Sequence, residues 1–178
     1  AATMHPESDL LITDMDPSHL GVFTRLFKET GVLIEMGTDS VRIKAPEVLR
    51  PVSVEALIYP GFPTDLQAQW ATMLTQADGY ATVTDNIYYD RFSYIPELTR
   101  LGANITLKDN TAYVHGKTLL QGATVMSTDL RASVSLVMAG MVAEGITEVL
   151  RVYHLDRGYE SLEDKLNAVG ARISRVPQ

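Results

Sequence analysis

Thr64-Asp65-Leu66-Gln67-Ala68 has a close echo later in the chain, at Thr128-Asp129-Leu130-Arg131-Ala132. Three more pairs match in the same order: Ala77-Asp78-Gly79 with Ala143-Glu144-Gly145, Asp90-Arg91 with Asp156-Arg157, and Leu101-Gly102-Ala103 with Val169-Gly170-Ala171. A weaker copy precedes both, because residues 27–34 resemble residues 98–105. A period of roughly 65 residues is longer than that of most solenoids, so it predicts a compact repeated unit.

The pattern inside each unit alternates between helix and strand. Apolar residues at helical spacing follow each Thr-Asp pair, with Thr64 as the predicted N-cap of the first helix. The second of these helices, over 132–143, carries almost no polar bulk and should be buried on most faces. The strands leading into the two helices are expected within 52–58 and 119–126.

A second, amphipathic helix follows in each unit, and a glycine ends it. Short strands are then expected at 32–36, 103–108 and 171–176, with hairpin turns at Gly37-Thr38-Asp39 and Asp109-Asn110. The pattern predicts a mixed α+β fold in which sheets surround central helices with pseudo-threefold order. The three repeats fall roughly at 1–60, 61–125 and 126–178, within a single domain over 1–178.

Composition limits the possible functions. A chain of 178 residues with 46% hydrophobic content suits one well-buried domain. The net charge of -7 and the lack of a Lys/Arg stripe argue against nucleic-acid binding. No cysteine is present, which excludes disulfides, thiolate metal sites and a cysteine nucleophile within these residues. Neither a signal peptide nor a membrane-length apolar run is evident, so a cytoplasmic protein without a membrane partner is expected.

Asp65 and Asp129 each follow a threonine at the start of a predicted helix. Helix capping is the simpler explanation, because a first-turn aspartate compensates the helix dipole and accepts backbone N–H groups. A role in chemistry is the alternative. The local pattern favours capping.

Three arginines are candidates for binding an anion. Arg91 and Arg157 each follow an aspartate at the predicted entrance to a helix, where a guanidinium fork suits a phosphate or carboxylate. An ion pair with Asp90 or Asp156 explains them equally well. Arg131 lies in the first turn of an apolar helix and needs an anionic partner, which could be Asp129, Asp156 or a ligand.

Other chemistries find no support in the sequence. The four histidines lack metal-ligand spacing, and there is no P-loop and no GxGxxG motif. No metal and no cofactor is therefore expected. A nucleophilic hydrolase and a Rossmann domain are both disfavoured.

Four ordered strings together resemble the enolpyruvyl transferase family, on the branch that acts on UDP-N-acetylglucosamine. They are Phe62-Pro63-Thr64-Asp65-Leu66-Gln67-Ala68-Gln69, Thr128-Asp129-Leu130-Arg131-Ala132-Ser133, Ala143-Glu144-Gly145 and Tyr153-His154-Leu155-Asp156-Arg157-Gly158-Tyr159-Glu160. The similarity runs over nearly the whole chain and corresponds to the C-terminal part of these enzymes. It implies an inverted α/β barrel built from βαβαββ units, one of two domains that enclose the active site between them.

The resemblance also implies an activity. The enolpyruvyl group of phosphoenolpyruvate would pass to the 3-hydroxyl of UDP-N-acetylglucosamine with release of phosphate, the first committed step of peptidoglycan synthesis and hence of cell wall biogenesis and cell shape. Asp65 would contact the sugar hydroxyl as a candidate general base. Thr64 and the backbone of Ile87 would also bind the UDP-sugar.

The remaining implied roles concern phosphoenolpyruvate. Arg91, Arg131 and Arg157 would line the phosphoenolpyruvate and phosphate side, with Arg157 also catalytic. Asp129 would transfer a proton near the reacting carbons. One departure bears on this side: Tyr89-Asp90-Arg91-Phe92 stands where the family more often has Glu-Asn-Arg-Phe, and the added carboxylate could pair with Arg91 and weaken its hold on an anion.

The family's catalytic cysteine, lysine and asparagine belong to an N-terminal domain that these residues do not include. The chain should therefore be inactive alone, with that missing domain as its partner. Two alternatives stay open: an enzyme like 3-phosphoshikimate 1-carboxyvinyltransferase, which shares the fold, and a non-catalytic binding or structural module.

Overall fold

The strands of the computed structural model, which describes residues 1–176, form three sheets. The first contains β1 (Asp9–Ile12), β2 (Leu33–Met36) and β3 (Val41–Lys44), in the order β1-β3-β2. The second has the order β4-β5-β7-β6, from β4 (Val54–Ala56), β5 (Tyr80–Asp85), β6 (Asn104–Lys108) and β7 (Thr111–His115). The third pairs β8 (Thr124–Met126) with β9 (Glu148–Leu150).

The helices are interspersed with these strands, as the sequence predicts. They are α1 (Gly21–Glu29), α2 (Gln67–Leu74), α3 (Tyr94–Arg100), α4 (Leu130–Val142), α5 (Tyr153–Asp156) and α6 (Leu162–Ala168). Short 3₁₀ turns occupy Ala2–Met4, Pro17–Leu20 and Thr64–Leu66. No helix within residues 1–176 is long and apolar enough to span a bilayer.

The predicted βαβαββ order is present in full in the middle of the chain, from β4 through α2, β5, α3 and β6 to β7. There β4 pairs parallel with β5, and β7 runs antiparallel to both β5 and β6. The segment β1-α1-β2-β3 has the antiparallel pairing of the second half of this unit, and β8-α4-β9 has the parallel pairing of its first half. Both predicted hairpin turns, between β2 and β3 and between β6 and β7, are confirmed.

Helices α2 and α4 pack against each other in the core. All but one residue of α2 is buried, and Trp70 from this helix meets Phe62 edge to face with ring centroids 5.2 Å apart. Every residue of α4 is buried or half-buried, which confirms its predicted burial. Each large apolar side chain buried here contributes about 1.5–3 kcal/mol relative to an exposed position.

Two predicted local features are wrong. Thr64 does not cap α2, because a 3₁₀ turn with Pro63 in the N-cap position comes first. Residues 171–176 form no strand. The corresponding strands β2 and β6 each pair with the strand that follows, whereas no described strand follows Ala171. The Asn167 side chain holds this segment instead, through hydrogen bonds of 2.7 and 2.9 Å to the backbone of Ile173. The last two residues of the predicted third repeat lie outside the described residues.

Candidate active site

Most of the predicted site residues lie just beyond the carboxyl ends of parallel strands. Thr64 and Asp65 are on the connection after β4, Ile87 and Arg91 on the connection after β5, and Asp129 on that after β8. Ligands in open α/β sheets commonly bind at such strand ends, because the connections there converge. Side-chain hydrogen bonds show that the three connections meet.

Asp65 lies where these three connections meet. Its Oδ1 accepts hydrogen bonds from Arg131 Nε at 2.6 Å and from Arg91 Nη1 at 3.1 Å. No residue among 1–176 donates to Oδ2, and 63% of the side chain is exposed. Asp65 accepts no hydrogen bond from the helix backbone, so the capping interpretation is wrong at this position. Its free oxygen can accept a proton or a hydrogen bond from a ligand.

Arg91 is the most buried of the candidate arginines, with 17% of its side chain exposed. Besides Asp65 it donates to the Thr64 hydroxyl at 3.0 Å, and its guanidinium lies 3.9 Å from the centroid of the Tyr88 ring. The expected ion pair with Asp90 is absent among the described contacts. Asp90 is exposed, and Asp65 takes its place as the partner.

Arg131 is held from α4 toward the same carboxylate. The sequence left Asp129, Asp156 and a ligand as possible partners, and the structure shows Asp65 instead. About a third of the Arg131 side chain is exposed, so the guanidinium keeps donors that face outward. Two arginines, one from the connection after β5 and one from the first turn of α4, thus flank one exposed aspartate.

Asp129 does cap its helix. Its Oδ1 accepts the backbone N–H groups of Arg131 at 2.7 Å and Ala132 at 3.1 Å, which confirms the capping prediction here. Its Oδ2 accepts the Ser93 hydroxyl at 3.2 Å, and Ser93 also shares a hydrogen bond with Thr128. Ser93 was missed by the sequence analysis, because one serine before a helix resembles an ordinary cap. Both carboxylate oxygens of Asp129 are thus engaged.

Arg157 lies elsewhere than predicted: it ends α5 and does not begin a helix. Asp156 is not its partner, since Arg175 holds that carboxylate at 2.7 and 2.9 Å and lowers the pKa of Asp156. Arg157 is exposed and makes no ion pair with any described residue. The next residue, Gly158, packs on Leu130, where an added Cβ would come within 2.9 Å of the leucine Cδ1. The turn that carries Arg157 therefore lies against the start of α4.

Asp85, which the sequence analysis also missed, is fully buried at the end of β5. It accepts the backbone N–H groups of Ile87 and Tyr88, each at 2.8 Å, and the Thr64 hydroxyl at 2.5 Å. The available signal was the alternation in β5, which places Asp85 on the same face as the apolar Ala81 and Val83. Burial, assisted by the charge of Asp85, raises the pKa of the neighbouring Tyr94 hydroxyl.

No group of three or more His, Asp or Glu side chains in residues 1–176 is arranged to hold a metal ion. The polar groups that converge on the site are carboxylates, guanidinium groups and hydroxyls. Such a set suits an anionic ligand with a hydroxyl-bearing partner.

Comparison with known proteins shows the family of this chain. A profile of the family described as EPSP synthase (3-phosphoshikimate 1-carboxyvinyltransferase) matches residues 1–166. The chain therefore belongs to this family of enolpyruvyl transferases.

Among its relatives is the UDP-N-acetylglucosamine 1-carboxyvinyltransferase of Chloroherpeton thalassium, 54% identical over 175 residues, which are 98% of this chain and 41% of that protein. The enzyme of the same name from Chlorobium phaeovibrioides is 53% identical over the same shares. The chain thus spans about two-fifths of the length of these relatives.

Solved structures support the fold. The enolpyruvyl transferase NikO from Streptomyces tendae superposes with a TM-score of 0.87 at 28% identity, over 96% of this chain and 41% of that one. EPSP synthase from Acinetobacter baumannii gives a TM-score of 0.58 at 18% identity, over 83% of this chain and 36% of that one, and so shows the fold alone.

Proposed function

We propose that the chain forms the C-terminal part of an enzyme that transfers the enolpyruvyl group of phosphoenolpyruvate to the 3-hydroxyl of UDP-N-acetylglucosamine. One observation carries the proposal: Asp65, with a free carboxylate oxygen, is flanked by Arg91 and Arg131. Relatives more than 50% identical bear the name of this activity. The reaction is the first committed step of peptidoglycan synthesis, so the protein would serve cell wall biogenesis and cell shape.

The geometry suggests how the addition step runs. Asp65 Oδ2 accepts the proton of the sugar hydroxyl as its oxygen bonds to C2 of phosphoenolpyruvate, while C3 gains a proton and becomes a methyl group. The product of this step is a tetrahedral ketal. Elimination then breaks the bond from C2 to the phosphate oxygen and removes a proton from C3, which restores the double bond and frees phosphate.

The arginines would hold the anionic groups during both steps. Arg91 and Arg131 already face one carboxylate, and Arg157, exposed and without a described ion pair, is on the turn that lies against the start of α4. Planar guanidinium groups bind carboxylate and phosphate through paired hydrogen bonds. Thr64 and the backbone of Ile87 would contact the UDP-sugar.

Asp129 is proposed as the second proton-transfer group. Its Oδ1 is committed to the α4 backbone, so the Oδ2 that faces Ser93 would carry that role. Of the two aspartates, Asp65 is the better candidate to accept the hydroxyl proton. It alone has a carboxylate oxygen to which no described residue donates a hydrogen bond.

The proposal includes a second domain. The relatives are more than twice as long as this chain, and the family's lysine, asparagine and mobile cysteine would come from the remaining part. Together the two parts would enclose the substrates, with this part as an inverted α/β barrel of three repeats over 1–178. Both substrates carry several negative charges that cannot cross a lipid bilayer unaided, so a cytoplasmic location belongs to the proposal.

The matched family profile supports one alternative acceptor, shikimate 3-phosphate, because its description names that reaction. The test is phosphate release from phosphoenolpyruvate by the chain extended upstream to the length of its relatives, with either acceptor. We expect release with UDP-N-acetylglucosamine only, and none from the 178-residue chain alone. Release with shikimate 3-phosphate would move the assignment to that enzyme, and release with neither would favour a non-catalytic module.

A further inference from the structure

A buried carboxylate outside the predicted catalytic set links the two substrate-facing connections. Asp85 has no exposed surface, and an ion buried in this way is costly unless hydrogen bonds compensate its lost hydration. Its backbone is fixed as well, because its N–H and C=O both bond to Asn110 in the β6–β7 turn, at 2.9 and 3.0 Å. The carboxylate is therefore a rigid point in the fold.

Each oxygen of Asp85 serves a different connection. Oδ1 accepts the backbone N–H groups of Ile87 and Tyr88 and so shapes the turn after β5. Oδ2 accepts the hydroxyl of Thr64, from the connection after β4, and a longer 3.5 Å contact from Gln67 Nε2. One side chain thus sets the spacing between the two segments proposed to bind the UDP-sugar.

The direction of the Thr64 hydrogen bond matters for the arginine beyond it. A hydroxyl has a single proton, and Thr64 gives it to Asp85. Its oxygen can then only accept, and it accepts Arg91 Nη1, the same nitrogen that donates to Asp65. The chain of hydrogen bonds therefore runs from Asp85 through Thr64 and Arg91 to Asp65.

We propose that Asp85 is a positioning residue for the acceptor side of the site, acting through Thr64 and Ile87. The inference rests on the proposed function, since it assigns those two residues to the UDP-sugar. Asp85 does not contact substrate, and its effect is to orient the groups that do.

The decisive substitution is Asp85→Asn. The asparagine oxygen can still accept the Ile87 and Tyr88 N–H groups, but its amide donates toward Thr64, so the Thr64 hydroxyl loses the carboxylate that accepts its proton and must reorient. In the chain extended upstream, we expect the KM for UDP-N-acetylglucosamine to rise about tenfold to a hundredfold, the range for a lost hydrogen bond to a charged group. The KM for phosphoenolpyruvate should change less than about threefold, because Arg91 keeps its ion pair with Asp65.

Thr64→Val removes the same link from its other end. It should give a similar rise, and the double variant should add no more than about twofold, because the residues act through one contact. Asp78→Asn is the matched control, since Asp78 is exposed and its side chain makes no hydrogen bond within residues 1–176; it should match the wild type. Additive losses, or a loss confined to kcat with both KM values unchanged, would overturn the positioning role.

Amide hydrogen exchange tests the same claim without turnover. Asp85→Asn should speed exchange in 62–66 and spare that of Ile87 and Tyr88, whereas Asp85→Ala should speed both. Unchanged exchange in 62–66 in both variants would refute the link. A wild type without acceptor-dependent phosphate release would refute the proposed function, and the exchange result would still decide the positioning claim.

Discussion

Thr64-Asp65 and Thr128-Asp129 share their sequence and their place at the start of a central helix, but the two aspartates do different things. Asp129 gives one oxygen to the backbone of α4 and the other to Ser93. Asp65 accepts no hydrogen bond from its helix backbone. Its Oδ1 accepts from Arg91 and Arg131, and its Oδ2 accepts from no described residue. One copy of the motif caps its helix, and the other leaves a carboxylate oxygen available for the proposed proton transfer.

The residue before each threonine accounts for part of the difference. Pro63 stands in the N-cap position of a 3₁₀ turn, so Asp65 falls inside the turn, where its side chain accepts no backbone N–H. Asp129 itself has the extended backbone of an N-cap, with φ −158° and ψ 174°. A repeated motif therefore predicts the helix start, while its flanking residue decides which side chain becomes available.

The largest expected effect separates the two aspartates by rate. Asp65→Asn in the chain extended upstream should slow phosphate release at saturating substrates by about 10²–10⁴-fold, because an amide cannot accept the hydroxyl proton. The melting temperature should change little, since most of the Asp65 side chain is exposed. A continuous phosphate assay and thermal unfolding by circular dichroism measure the two quantities.

Asp90→Asn is the matched control for that experiment. It removes an exposed carboxylate next to Arg91 that pairs with no described residue, so the rate should stay within about twofold of the wild type. An equal loss of rate in both variants, or a rate for Asp65→Asn above about a third of the wild-type rate, would contradict the assignment of Asp65 as the proton acceptor.

The next effect concerns the two arginines at the end of the chain. Arg157→Gln should raise the KM for phosphoenolpyruvate by about tenfold to a hundredfold, because a charge-assisted hydrogen bond to the substrate is lost. Arg175→Gln, whose guanidinium is already held by Asp156 and Glu163, should leave that KM within about twofold. Steady-state kinetics with varied phosphoenolpyruvate measures this KM. An equal change of KM in both variants, or no change in either, would contradict the prediction.

A smaller effect separates Asp65 and Asp129 by stability. Asp129→Ala should lower the free energy of unfolding by about 1 kcal/mol through loss of the cap. Asp129→Asn should cost about 0.5 kcal/mol or less, because asparagine also caps helices well. Asp65→Ala should cost under about 1 kcal/mol, as expected for a surface ion pair. Urea unfolding measures these free energies. A larger loss of stability for Asp65→Ala than for Asp129→Ala would reverse the assignment of the helix cap to Asp129.

The smallest expected effect is a pH dependence of stability at the ion pairs that Arg175 makes with Asp156 and Glu163. Hydrogen bonds from Arg175 lower the pKa of Asp156 and of Glu163, so these pairs stabilise the fold above the unfolded pKa of about 4 and cease to do so as pH falls through the lowered values. Arg175→Met should therefore melt slightly below wild type at pH 7 and equal to it near pH 2. A difference that persists at the lower pH would mean that packing, and not charge, is responsible.

The order of helices and strands could be predicted because it depends on local periodicity and turn residues. The burial of α4 and both hairpins follow directly from such patterns. The partners of Arg91, Arg131 and Asp156 could not be predicted, since each lies 19 or more residues away in the sequence. The expected strand at 171–176 failed for a related reason, because a strand needs a partner that the local sequence does not specify.

The family resemblance named Asp65 and Asp129 as candidates but did not show which of their oxygens is free. That knowledge required the hydrogen bonds around Asp65 and Asp129, and it also revealed Asp85, which no motif had marked. Buried polar residues that act through others leave little trace in a single sequence.

The most direct test is a crystal structure of the chain extended upstream with UDP-N-acetylglucosamine bound. We predict that the 3-hydroxyl oxygen of the sugar lies about 2.6–3.2 Å from Asp65 Oδ2, with Asp129 still capping α4. A sugar hydroxyl at that distance from Asp129, with Asp65 bound only by its two arginines, would contradict the assignment of the general base.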